Sequence, residues 1–435
     1  MSDFGSGLAP VLLRADRLLP HADAAVIEDG AVLAVDGLIA ASGPWAEVAR
    51  EAAPDVRLVE LGDRTLMPGL IDCHVHLAMD GSVTSTVSEL TATDAELACR
   101  MINSARRLLD AGVTAARDLG CRGAVASTIR DAVRDGLVPG PRLQVANAPI
   151  TVTAGHAWAM GGEADGALEV VREVRIRAKQ RTDVIKIMST GGFMTAGSRP
   201  WHARYTVEEL RACVEEAHRL GMPVTTHALG VEGIRRAMEA GVDMIEHCGW
   251  VTEKGSRFDP EIARRIAERG IVVCPTMNTA CLPDPYFCPW DEREALIANL
   301  RAMREAGIEL VAGTDAGIGL VPFENYADGL DVLADAGMST REIIAAATHR
   351  AAAACGLGTV TGQLTTGLAA DVVAVPGDPT ESIDVLHRPA CTLAAGRLHW
   401  CPERTPENLA TERAGHREAA FSVRRQLVAG SGRIG

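Results

Sequence analysis

His74 and His76 stand two apart at the end of an apolar run, TLMPGLIDCHVHLAMDG, Thr65 to Gly81. Side chains at i and i+2 of a β-strand share a face, so two imidazoles would leave such a strand together, and neutral imidazoles side by side start a metal site. The same placement recurs down the chain. Lys186 sits in DVIKIM, His227 in MPVTTHALG, His247 in DMIEHCGW and Asp315 in IELVAGTDAG. Core packing can account for one or two buried histidines, but six donors at equivalent ends of apolar runs point to metal ligation.

Lysine is rare in this chain, with Lys179, Lys186 and Lys254 against a long roster of arginines, and only Lys186 lies in an apolar strand-like run. An ammonium beside divalent cations in a dry site meets repulsion and a desolvation cost together. It must be neutralised, moved or chemically changed. Carboxylation by carbon dioxide would turn the amine into a carbamate, an anion whose two oxygens can bridge two metals, and arginine could not replace it. By contrast His218 and His349 fall in helical patterns, and His21, His387, His399 and His416 lie outside the region that carries the ligands.

Elements that alternate in a fixed rhythm must position these donors. Eight short apolar runs between about residues 65 and 357 are LMPGLIDCHVHL, GVTAARDLG, PRLQVANAPI, DVIKIMSTGG, MPVTTHALG, DMIEHCGW, GIVVCPTMN and IELVAGTDAG. Amphipathic helical patterns such as TVEELRACVEEAHRLG and REALIANLRAMREAG separate them, several ending in glycine. Eight βα units predict an α/β fold, a (β/α)8 TIM barrel over residues 65–357 with its chemistry at the C-terminal strand ends. Residues 1–64 and 358–402 read as short strands and turns and are expected to pair into one small composite β-sandwich, followed by an Arg/Glu-rich tail, 403–435.

With 435 residues and 47% hydrophobic content the chain can bury a core of that size. It has no long uncharged apolar run and no secretory signal pattern, so a cytoplasmic location without a membrane span is expected. A net charge of −14 with no basic stripe argues against nucleic acid and anionic membranes and leaves a small molecule or peptide as the partner. A homo-oligomer stays open. The 11 cysteines, scattered through apolar segments with no CxxC pair, suit reduced core thiols.

Aromatic residues are 3% of the chain, yet most follow strand ends, among them Trp158, Phe193, Trp201, Tyr205, Trp250, Phe287 and Trp290. That distribution predicts an apolar or aromatic substrate surface, with Trp158, Trp201 and Tyr205 as contacts. The segment NTACLPDPYFCPWD, rich in proline and aromatics, reads as a stiff lid. Arg122, Arg199 and Arg204 are the candidates for holding a substrate carboxylate.

PGLIDCHVHL, GVTAARDLG, DVIKIMSTGG, THALG, MIEHCG, GTDAG and the late GQLTTGLAADVVAVPGDP together resemble the amidohydrolase superfamily over roughly residues 10 to 400. The stretch around His156 and the run from Tyr205 are similar to its prolidase-like and Xaa-Arg carboxypeptidase-like branch. The resemblance implies a binuclear zinc site, two Zn2+ bridged by carboxylated Lys186. It makes His74, His76 and Asp315 ligands of the more buried metal, gives the second metal to His227 and His247, and makes His156 a substrate contact. The branch commonly has TGGHG where this chain has TAGHA, so Ala154 and Ala157 depart from the pattern and leave that loop's backbone path open.

The expected reaction is metal-dependent hydrolysis of an amide C–N bond in a peptide or N-acyl amino acid, with Asp315 moving the proton and His156 as a second electrophile. A peptide-maturation hydrolase in a biosynthetic pathway fits the same site. The rivals are a lactonase or organophosphate hydrolase on the same binuclear site, a mononuclear deaminase that would not need Lys186, and a metal-free scaffold, which should have lost ligands.

Overall fold

The computed structural model describes residues 8–284, 286–288, 290–415 and 418–419. Five strands open the chain: β1 (Val11–Leu18), β2 (Ile27–Val35), β3 (Leu38–Pro44), β4 (Arg57–Glu60) and β5 (Arg64–Pro68). Eight follow in the middle: β6 (Leu70–Val75), β7 (Val113–Asp118), β8 (Arg142–Val145), β9 (Ile185–Met188), β10 (Val224–Gly230), β11 (Met244–Thr252), β12 (Gly255–Ser256) and β13 (Val272–Cys274). The described strands end with β14 (Val372–Pro376), β15 (Cys391–Ala394) and β16 (Arg397–Trp400).

The two chain ends share one sheet, ordered β16-β15-β14-β5-β1-β2-β3, with β4 also paired to β1. These strands hydrogen-bond as one connected sheet, and β1 joins its parts. Its first half pairs in parallel with β4, from Val11 opposite Arg57 to Arg14 opposite Glu60, and its second half pairs with β5, Arg17 opposite Thr65 and Leu18 opposite Leu66. The sheet buries Leu13, Val32, Val372 and Leu393 on one side and Leu12, Leu33 and Ala41 on the other, as alternating side chains of a strand require.

The middle of the chain is α/β, its strands lying in two sheets, β6-β7-β8 and β12-β11-β10-β9 with β13 on β11, every pair parallel except β11 with β12. Seven of the eight expected runs contain strands. The eighth, IELVAGTDAG, does not, and it makes only isolated parallel bridges, Leu310 to Val273 and Ala316 to Val75. Its glycine and its strained aspartate interrupt a regular ladder: a Cβ on Gly313 would meet Cys274 Sγ at 2.4 Å, and Asp315 has φ 63°. A further bridge, Ile150 to Ile187, joins the β8 side to β9. The hydrogen-bonded ladders therefore stop short of one closed sheet.

Helices cover these strands because their apolar residues recur at helical spacing. In Asp94–Asp110 the buried face is Leu97, Met101, Ala105 and Leu108, and each large apolar side chain so buried contributes roughly 1.5–3 kcal/mol. Thr93 and Glu96, Thr206 and Glu209, and Ser339 and Glu342 form capping boxes that fix where three helices start. Among the described residues no helix is long and apolar enough to cross a membrane. Beyond Pro402, residues 406–415 are helical and are tied down by Arg404 and Arg413, the latter 2.7 Å from Asp328 and 3.0 Å from Asp331. His416 and the AGSGRIG end lie outside the described residues.

Candidate metal centre

β6 delivers His74 and, just past its end, His76; β9 delivers Lys186, β10 His227 and β11 His247, while the bridged run after Leu310 delivers Asp315. All six line one cavity of about 410 Å3, together with His156. The structure thus brings together every sequence-predicted ligand from six places in the chain. His74, His76 and Asp315 present ligand atoms that lie within 4.8 Å of one another. His227 and His247 have ring centroids 4.6 Å apart, and His247 is 5.2 Å from His74.

The histidine tautomers follow from what each ring touches. His74 Nδ1 is 2.8 Å from the Glu246 carboxylate, His76 Nδ1 is 3.4 Å from the Gly120 carbonyl, and His227 Nε2 is 2.9 Å from the Gly191 carbonyl. Carboxylates and carbonyls only accept, so these ring nitrogens carry the hydrogen and donate it. His247 Nδ1 lies 2.7 Å from Thr276 Oγ1, whose own hydrogen goes to the Pro275 carbonyl at 2.7 Å, which makes the hydroxyl an acceptor there too. His74 Nε2, His227 Nδ1 and His247 Nε2 are therefore left as lone-pair nitrogens, whereas His76 Nε2 meets the Asp315 carboxylate at 3.0 Å, which holds that imidazole above its ordinary pKa against the opposing effect of burial. A ring held by one nitrogen with the other left as a base is the arrangement that metal ligation needs.

Lys186 Nζ is buried without a hydrogen-bond partner, and Asp315 Oδ1 is likewise unsatisfied. Asp315 Oδ1 lies 3.0 Å from His76 Nε2 and 3.4 Å from His74 Nε2. Burial pushes the Lys186 ammonium down to about 8, against the pull of Glu246 and Asp315. It also lowers His74, His227 and His247 well below the ordinary imidazole range and brings His156 to about 4. Burial would raise Asp315, but the neighbouring His74, His76 and Lys186 hold it below the usual carboxylate range. A buried unpartnered amine, an ionised carboxylate and three imidazoles held neutral, His74, His227 and His247, fit a cation held by nitrogen and oxygen.

Three residues that support the site were not singled out from the sequence. Glu246, which anchors His74, also accepts from Thr225 Oγ1 and from Arg117 at 3.0 Å, all fully or almost fully buried. Asp72 accepts from the Thr314 amide at 3.0 Å and hydroxyl at 2.6 Å, which pins the Asp315 run against β6. A charged residue inside an apolar strand run was the available signal. Alternation hid Glu246, because residues 246 and 247 of a regular strand face opposite ways; His247 has φ 67°, and that left-handed turn lets both reach His74.

His156 Nδ1 is 3.1 Å from Thr195 Oγ1, and its ring lies 4.6 Å from that of His227. The glycine positions of the related loop matter here, for Ala154 has φ 54° and Ala157 φ 59°. The backbone keeps the left-handed path that glycine would adopt, at a cost of about 1–3 kcal/mol per alanine. Gly192 completes the fit, since a Cβ there would come 2.5 Å from His156 Nε2.

Of the sequence-predicted substrate contacts, only His156 lines the cavity. Tyr205 is fully buried and its hydroxyl donates to the Ala164 carbonyl at 2.8 Å, so it belongs to the wall. Trp158 is 46% exposed, and Trp201 is half-buried with the Arg199 guanidinium 5.9 Å above its ring. Neither is a lining residue. The cavity's aromatic surface is Phe193, stacked 6.4 Å from Trp290, and Phe287. Arg122, Arg199 and Arg204 are also off the lining, and Arg122 is committed to the Leu90 carbonyl at 3.3 Å and Asp94 at 3.1 Å. The expected lid does border the cavity, through Asn278, Ala280, Phe287 and Trp290, with Phe287 N and Cys288 N both donating to the Ala280 carbonyl. Pro285 and Pro289 of that segment lie outside the described residues.

A family model described as "Amidohydrolase family" matches residues 65–398. The chain is 29% identical over 424 residues to an ochratoxinase of Aspergillus niger, covering 87% of this chain and 83% of that protein. It is 29% identical over 383 residues to an imidazolonepropionase of Symbiobacterium thermophilum, covering 81% and 84% respectively. A solved Xaa-Pro dipeptidase with bound methionine in its active site matches with a TM-score of 0.79 at 26% identity, over 90% of this chain and all of that one.

Proposed function

The chain belongs to the amidohydrolase family, and from that premise we propose that it hydrolyses an amide C–N bond in a peptide or N-acyl amino acid at a binuclear zinc site. The observation that carries this reading is the set of four imidazoles lining one cavity, of which His74, His227 and His247 are each anchored through one nitrogen and keep the other as a lone pair, beside Asp315 and a buried unpartnered lysine. We read the two parallel sheets and the bridges between them as a (β/α)8 barrel, residues 65–357, and the terminal sheet as its companion domain.

His74, His76 and Asp315 would hold the more buried ion, His227 and His247 the other, and carboxylated Lys186 would bridge them. Bound zinc supplies Lewis acidity toward a carbonyl and acidifies water. Asp315 accepts a proton at its carboxylate and returns it to the leaving nitrogen, a task suited to a group held ionised at the cavity floor. His156, neutral at physiological pH, offers its Nε2 to the substrate carbonyl. The stacked Phe193 and Trp290, with Met160, Met188 and Met194, give the substrate's side chain an apolar wall that excludes water. The partner is accordingly a small molecule or peptide.

The structurally similar Xaa-Pro dipeptidase acts, by its name, on a dipeptide, which favours the amide reading over a lactonase or organophosphate hydrolase. A panel of dipeptides, N-acyl amino acids and the matching esters, offered to zinc-reconstituted protein, tests it. Amide turnover well above ester turnover is expected; hydrolysis of lactones or phosphotriesters without amide turnover overturns it.

A further inference from the structure

A second cavity, about 560 Å3, opens at the opposite ends of the same strands, where β8 and the segment before β9 meet the β15–β16 turn. It is rich in arginine on a chain of net charge −14. Three of its guanidiniums are spoken for. Arg130, Arg134 and Arg181 converge on Asp131 at 2.9, 3.0 and 2.7 Å, and Asp183 and Asp135 take further bonds from Arg130 and Arg134 at 2.8 Å each. Three cations and three carboxylates balance.

Two arginines remain. Arg142 has a buried Nε without a hydrogen-bond partner, and its Nη2 stands 3.5 Å from Asp371 Oδ2, itself without one. Arg397, exposed on β16, lies across the bare backbone of Gly136, where a Cβ would come 2.5 Å from its Nη2. Among the described residues no carboxylate pairs with Arg397. Counting Asp371 against Arg142 leaves one uncompensated guanidinium, and the remaining wall is mostly aliphatic, built from Leu109, Val133, Val138, Leu143 and Leu398, with the His399 imidazole, held by Asp110 at 2.7 Å, as its aromatic ring.

We propose that this cavity binds an organic monoanion with an aliphatic body, a medium-chain carboxylate whose head sits on Arg142 and Arg397. A guanidinium fork matches a carboxylate in plane and number of bonds, and the aliphatic wall holds the chain. The site is separate from the metal centre and does not depend on the reading of that centre.

Calorimetric titration of the full chain with octanoate tests it, using octanamide as the same body without charge and octyl phosphate as the dianionic alternative. Octanoate binds at least about tenfold more tightly than octanamide, and Arg397→Gln weakens it by about tenfold or more. Arg142→Gln acts in the same direction, and Arg397→Gln, at the exposed start of β16, keeps the test valid if the substitution at partly buried Arg142 disturbs folding. Octanoate entering the metal cavity would not respond to Arg397, so undiminished binding in Arg397→Gln overturns the proposal. So does equal binding of octanamide, and tighter binding of octyl phosphate overturns the monoanionic assignment.

Discussion

The two ends of the parallel strands carry opposite electrostatic designs. At the C-terminal ends, polar groups are buried and short of protein partners: Lys186 Nζ has no hydrogen bond, and three imidazoles, His74, His227 and His247, each leave a lone pair facing the cavity. At the N-terminal ends the charges are more exposed and mostly paired with one another, as in the three arginines on Asp131. Burying unpaired polar groups costs several kcal/mol where pairing them costs little. The first end therefore presents a donor set suited to a cation, and the second is close to balanced on its own. Substitutions should separate the two ends accordingly, reaction at one and modest stability or binding at the other.

The largest effect is expected at Asp315. Asp315→Asn keeps the shape and should retain metal while lowering kcat by about 10³-fold or more, which steady-state kinetics with metal analysis would show; ordinary turnover would remove Asp315 from the proton path. Next comes His156→Ala, for which a fall in kcat of roughly 10²-fold with unchanged metal content is expected, and metal loss would instead make His156 a ligand. Thr276→Val removes the acceptor that fixes the His247 tautomer and should weaken metal affinity about 10-fold, read by chelator competition. The smallest effect belongs to the other end. Asp131→Asn should destabilise by no more than about 1 kcal/mol in thermal or urea melts, with activity unchanged. Its sign with pH is set: burial opposes, but Arg130 and its neighbours hold the Asp131 carboxyl low. The contribution is thus present above the unfolded pKa of about 3.9 and lost as pH falls through the lower folded value. Wild type and variant should converge in acid.

Much of the catalytic end could be read from spacing, because β-strand geometry links sequence position to strand-end position, and His74, His76, Lys186, His227, His247 and Asp315 all meet in one cavity. What spacing could not show was side-chain direction where the backbone leaves the regular strand. Glu246 joined the interior only through the left-handed turn at His247, and Ala154 and Ala157 took glycine-like φ values that residue identity argues against. Proximity in sequence to a strand end also misled for Tyr205, whose hydroxyl had a partner in the wall, while Phe193, Phe287 and Trp290 came forward to line the cavity. At the terminal sheet, strand content was legible, but the sharing of β1 between β4 and β5 depends on pairing residues 46 to 48 positions apart, such as Val11 with Arg57 and Arg17 with Thr65, and has no local signature. The eighth run lost its ladder to Gly313 and Asp315, the residues that also make it chemically useful.

Metal stoichiometry in wild type and Lys186→Ala tests the central claim most directly. The account predicts two equivalents of zinc per chain in the carbon-dioxide-equilibrated wild type and at most one in Lys186→Ala, with turnover lost. One equivalent per chain in both proteins, with turnover retained in Lys186→Ala, would contradict the bridging lysine and return the site to a mononuclear one.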